Sequence, residues 1–122
     1  MLKRIVTIAG FLMLTALPVM AAETVYSSVV DDLPLMQGMI EKPDDTVIFD
    51  KPGGRIIEFS AETSTAAEAV KSFYLQALPP LGWKSSRASQ FTRDNETLKI
   101  DFEKAGKKTL VHFTLTPNAE GK

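Results

Sequence analysis

One apolar stripe at helical spacing, set between stretches that alternate every second residue, constrains this chain most. Ala66, Ala69, Val70, Phe73, Tyr74 and Ala77 recur at three- and four-residue steps. They share one face of a helix, while Glu68, Lys71, Ser72 and Gln76 point away. Thr65 followed by Glu68 has the spacing of a capping box. Leu78 precedes Pro79, whose ring disfavours further helix. The pattern predicts a helix over residues 66–78.

The flanking segments predict strands. Thr46, Val47, Ile48 and Phe49 lead into a turn at Lys51, Pro52, Gly53 and Gly54, and residues 56–61 return as a second strand. A double glycine can cradle phosphate, but only where a helix follows, and here a strand follows. Beyond Gly82, residues 83–88 and 90–93 read as short strands, and Asp94 with Asn95 as a tight turn. Leu98, Ile100 and Phe102 then share one strand face, opposed by Lys99, Asp101 and Glu103. After a turn at Gly106, Val111, Phe113 and Leu115 share a face opposed by Leu110, His112 and Thr114, until Pro117 stops the strand. The order β-β-α-β-β-β, with room for another strand between Trp83 and Arg93, implies an α+β domain of two layers. It consists of an antiparallel sheet of about five strands with one amphipathic helix on one face. That domain is expected over residues 46–117, after an extended arm at 23–45 and before a flexible tail at 118–122.

Residues 1–22 read as a secretory signal peptide. Lys3 and Arg4 start it, an apolar run follows, and Val19 and Ala21 supply small residues before cleavage after Ala21 or Ala22. The run of sixteen residues from position 5 to 20 would make about 24 Å of helix, short of a bilayer core of about 30 Å. The expected product has no stable membrane anchor and is periplasmic or secreted. Without Lys3 and Arg4, 12 of the 14 basic residues remain against 15 acidic ones, a net charge of −3. That balance argues against nucleic acid as a partner. The chain has no Cys, so no disulfide or thiolate site is available, and its one His excludes a two-His metal site.

Phe73 and Tyr74, then Leu78, Pro79, Pro80, Leu81, Gly82 and Trp83, are followed by Phe91 and by Leu98, Lys99 and Ile100. This order resembles small exported bacterial proteins of unknown function, in which a helix ends in a Leu-Pro-x-Leu-Gly-Trp segment before a β-meander. It is similar, more loosely, to the helix-on-sheet modules of outer-membrane assembly lipoproteins, although this chain lacks their lipid-bearing Cys. The resemblance implies fold and compartment and transfers no catalytic residue.

Candidate chemistry is sparse. His112 is the one side chain that titrates near neutrality, and Asp101 or Glu103 on the neighbouring strand could orient it as a general base. Asp31 with Asp32, and Asp44 with Asp45, offer oxygen ligands but lack the spacing of a calcium loop. Trp83, Phe73 and Tyr74 could stack on a ligand, yet their spacing matches the core stripe. Asn95, Glu96 and Thr97 fit a glycosylation pattern. No catalytic, cofactor or metal constellation assembles from these residues. The arm is richer: Leu33, Leu35, Met36 and Met39 crowd around Pro34 and Gly38, as adaptable apolar side chains suited to a partner. The leading expectation is therefore a non-enzymatic binding or accessory module of the bacterial envelope. It would work by protein–protein contact through that arm and the sheet face the helix leaves open. A second expectation is a carrier of a small hydrophobic ligand, held between helix and sheet where Ala66, Ala69 and Ala77 leave space. A small hydrolase using His112 is the third.

Overall fold

The computed structural model describes residues 10, 13–17 and 23–118. The cleavage site at Ala21 or Ala22 lies outside the described residues. Residues 13–17 have no regular structure, and no helix among the described residues is long and apolar enough to cross a membrane.

Among the described residues there are nine strands and one α-helix. They are β1 (Val25–Tyr26), β2 (Pro34–Leu35), β3 (Ile40–Glu41), β4 (Val47–Lys51), β5 (Gly54–Thr63), α1 (Ala67–Ala77), β6 (Lys84–Arg87), β7 (Gln90–Arg93), β8 (Glu96–Ala105) and β9 (Lys108–Pro117). The class is α+β with antiparallel pairing throughout. The strand number departs from expectation. Seven strands form the main sheet, in the order β3-β5-β9-β8-β7-β6 with β4 also on β5, and β1 and β2 form a separate ribbon. The extra strands come mainly from the arm, while both short strands read after Trp83 form, as β6 and β7.

The alternation stacks apolar rows across the sheet. Ile57, Leu115, Leu98 and Phe91 are successive cross-strand partners, as are Phe59, Phe113 and Ile100. Phe59 and Phe113 stack at 4.8 Å, and Tyr74 from the helix meets Phe113 edge-on at 5.6 Å. Of the helical stripe only Val70 and Tyr74 are buried, joined by Leu78 at the helix end, while Ala66 and Ala69 are exposed rather than set against the sheet. The capping box does not form. The helix starts one residue late, so Ala66 takes the cap position without a side-chain bond. The Thr65 N–H donates instead to Thr63 Oγ1 at 3.2 Å, and Glu68 pairs with Lys71 at 3.5 Å. After the helix, Pro79–Leu81 makes a 3-10 turn closed by Gly82 at φ 94, a left-handed value suited to glycine.

The arm is folded rather than extended. Leu33, Leu35 and Met39 are 1%, 6% and 8% exposed and belong to the core cluster, with Met36 packed against it. A polar knot holds the bend. The Glu41 carboxylate accepts from Ser27 Oγ at 2.6 Å and from the Ser28 N–H at 2.9 Å. Ser27 Oγ in turn accepts from the N–H groups of Val29 and Val30 at 3.0 and 3.1 Å.

Candidate functional site

Cross-strand register places His112 between Ser60 of β5 and Asp101 of β8, on the sheet face away from the helix. His112 Nε2 lies 3.0 Å from Glu103 Oε2, so Glu103 is the carboxylate that meets it. Both side chains are exposed, and His112 borders a shallow recess of about 130 Å³ shared with Asp45, Glu58 and Ser60. The Ser60 hydroxyl does not serve the imidazole; it donates to Asp45 Oδ2 at 2.9 Å. A nucleophile held by a base inside a cleft, which acyl transfer needs, is not assembled here.

The acidic pairs are dispersed. Asp32 takes Arg93 at 2.6 Å, Asp45 takes Ser60, and Asp44 sits with Asp45 in the first turn of the Pro43–Asp45 3-10 segment. Among the described residues, no three His, Cys, Asp or Glu side chains are grouped to hold a metal. The aromatic set is internal. Trp83 and Tyr74 are buried, and Phe73 packs edge-on against Tyr74 at 4.9 Å. Arg93 closes over Trp83 with its guanidinium 4.2 Å from the ring centre, and donates to the Leu81 carbonyl at 3.2 Å. Burial raises the Tyr74 hydroxyl well above the usual tyrosine range, with the negative charge of Glu41 adding to it. That hydroxyl donates to Met39 Sδ at 3.7 Å.

Leu33, Leu35 and Met39 therefore do not form the free surface expected of the arm; they are its anchors in the core, and Met36 lies half-buried beside them. The exposed apolar surface is elsewhere, on β4. All five residues of that strand are exposed, and Val47, Ile48 and Phe49 are 39%, 51% and 56% accessible. One edge of β4 pairs with β5, and among the described residues no strand pairs with the other. Ile40 of β3 is also exposed, on the same side of β5. Three consecutive apolar residues are apolar toward both sheet faces, and at β4 neither face is buried. That run was the available sequence signal for this edge.

The helix side of the sheet carries a groove of about 200 Å³, bounded by Lys71 and Leu75 of α1 and by Phe91, Ile100 and Phe102. Lys71 Nζ stands 5.5 Å from the Phe102 ring centre. A second groove, of about 350 Å³, is lined by Ala66 and Ala67 with Phe102 and Thr109.

Fold and surface together define a small two-layer α+β protein with an apolar sheet edge that is unpaired among the described residues. No protein-family model matches the chain, no curated protein matches it, and no solved structure matches it.

Proposed function

We propose that this chain is a non-enzymatic, exported binding module of the bacterial envelope that works by protein–protein contact through the β4 edge. One observation carries the reading: Val47, Ile48 and Phe49 stand exposed on a strand whose outer backbone groups are unpaired among the described residues. An open strand edge offers a ladder of N–H and C=O groups, and proteins that do not use such an edge blunt it with charge, proline or a cover. Here the apolar run is left bare up to Asp50 and Lys51. An added strand would gain main-chain hydrogen bonds for affinity and alternate side-chain contacts for selectivity. The signal-like residues 1–22 and the resemblance to small exported proteins support the compartment. The test is photo-crosslinking in the producing cell, with the probe at Phe49 and a control probe at Glu68 on the helix's outer face. A discrete protein adduct at Phe49 alone supports the reading. Equal labelling at both sites, or none at Phe49, overturns it.

The groove beside α1 favours a second reading, a carrier of a small hydrophobic ligand. Its walls are Leu75, Phe91, Ile100 and Phe102, and about 200 Å³ is small for such a site, since drug-sized pockets run from about 300 to 1,000 Å³. Leu75→Glu tests it. A wild-type melting temperature that rises with medium-chain amphiphiles, and no longer does so in the variant, supports a carrier. The same response in both proteins argues against it.

A further inference from the structure

We infer that the occupant of the β4 edge is a second copy of this chain, paired antiparallel about a two-fold axis through Ile48; this rests on the edge-contact reading above. The argument is one of register. Along a strand, the backbone groups that point to one side belong to alternate residues. Two copies of one edge can therefore bond only when partners have numbers of the same parity. A two-fold pairing of β4 with itself must be centred on a residue, not between two.

Three centres are available within the apolar run. Centring on Val47 sets Thr46 against Ile48 and Asp45 against Phe49. Centring on Phe49 sets Val47 against Lys51 and Ile48 against Asp50. Both place apolar side chains opposite charge or polarity. Centring on Ile48 sets Ile48 against its copy, Val47 against Phe49, Thr46 against Asp50, and Asp45 against Lys51. Only this register matches apolar with apolar within the strand, and it brings Lys51 toward Asp45 of the second copy, in the 3-10 turn just before β4.

The faces agree with it. Asp45 reaches Ser60 on the open side of the sheet, the side that Val47 shares with its partner Glu58. Val47, Phe49 and Lys51 alternate on that same side, so the acid–base pairs would flank the apolar ones. Ile48 pairs with Ile57 on the helix side. Its copy would extend the row of Ile57, Leu115, Leu98 and Phe91 into the second subunit. Centred on Ile48, only Val47, Ile48 and Phe49 meet strand residues of the copy, about 10 Å of shared edge, and such a contact falls at the low end of interface size. The dimer is thus expected to be weak, forming at about 100 μM and dissociating near 1 μM.

The absence of Cys makes the test clean. Ile48→Cys and Ile40→Cys both place a thiol at an exposed apolar position. A short bis-maleimide should join two copies through Cys at position 48 and leave the position-40 variant monomeric. Sedimentation velocity of the unmodified chain should show a concentration-dependent dimer. D45K alone should weaken it about tenfold, and D45K with K51D should restore it, because each copy supplies both members of the swapped pair. A monomer at about 0.5 mM, equal cross-linking at both cysteines, or no rescue by the double swap would overturn the inference. If the cellular adduct at Phe49 contains another envelope protein and the purified chain stays monomeric, the edge-contact reading survives and the second copy does not.

Discussion

Tyr74 shows at single-residue scale how the arm and the helix depend on each other. Its hydroxyl is buried against Met39, and its ionisation is opposed by desolvation first and by Glu41 second. The folded value is raised above the unfolded value of about 10. The group's contribution to stability is therefore complete below about pH 10 and is lost as pH climbs above it toward the folded value. Melting temperatures between about pH 8 and 11.5 should fall more steeply in the native chain than in Tyr74→Phe. Parallel curves would refute the coupling. At neutral pH the same substitution removes only a weak sulfur-accepted bond and should cost under about 1 kcal/mol. Trp83 presents the opposite case. It is buried beneath Arg93, and its Nε1 has no partner among the described residues, so packing and the guanidinium over its face hold it. Trp83→Ala should cost about 3–5 kcal/mol in chemical denaturation, and a variant as stable as the native chain would show that the ring is not part of the core. The core role of these two aromatics was legible in the sequence because they sit on the helical stripe and just beyond its proline break. Their partners were not, since Met39 lies 35 positions from Tyr74 and periodicity carries no long-range pairing.

At the scale of elements, what could be read followed from local rules. The helix, the two turn-linked hairpins and the long β8–β9 pair each announce themselves through spacing and turn residues, and each appears within a residue or two of its predicted bounds. The arm defeated the same rules because its strands are two residues long, too short to show a period. Its shape comes from burial of Leu33, Leu35 and Met39 and from the Glu41 knot on Ser27 and Ser28. Glu41→Ala removes the acceptor of those bonds and should destabilise the chain by about 1–3 kcal/mol. The loss should be local in its first effect. Amide exchange should quicken across residues 27–35 while the β8–β9 ladder keeps its protection. Uniform loss of protection would mean that the knot belongs to the global unfolding unit instead. The candidate surface has the same history. An unbroken apolar run in β4 could be read as a strand, but whether its edge is covered is settled only by where the arm goes.

Geometry at the scale of the whole molecule explains why the arm is needed. The main sheet is six strands wide at most, in the order β3-β5-β9-β8-β7-β6. Neighbouring strands lie about 4.8 Å apart, so its face spans roughly 24 Å. One helix with side chains is about 10–12 Å across. The helix alone therefore leaves about half of the apolar face bare. The arm enters at the β5 edge through β3 and supplies three buried side chains to the shared core. Toward β6–β8, Leu78 and Trp83 join Phe91, Leu98 and Ile100 in the buried core, and only the groove beside Lys71 and Leu75 stays open. Residues 46–117 consequently contain the sheet from β4 to β9 but lack β3 and part of the core. Substituting a single buried Leu or Met costs about 2–5 kcal/mol, and the whole stability of a domain this size is about 5–15 kcal/mol. Losing Leu33, Leu35 and Met39 together is a loss of the same order as the total. A chain beginning at residue 46 should accordingly lack a cooperative thermal transition and dispersed amide resonances, while one beginning at residue 23 should show both. A sharp, reversible melt of the shorter chain within a few degrees of the longer one would show that helix and sheet suffice, and that the arm is an accessory to a core already closed.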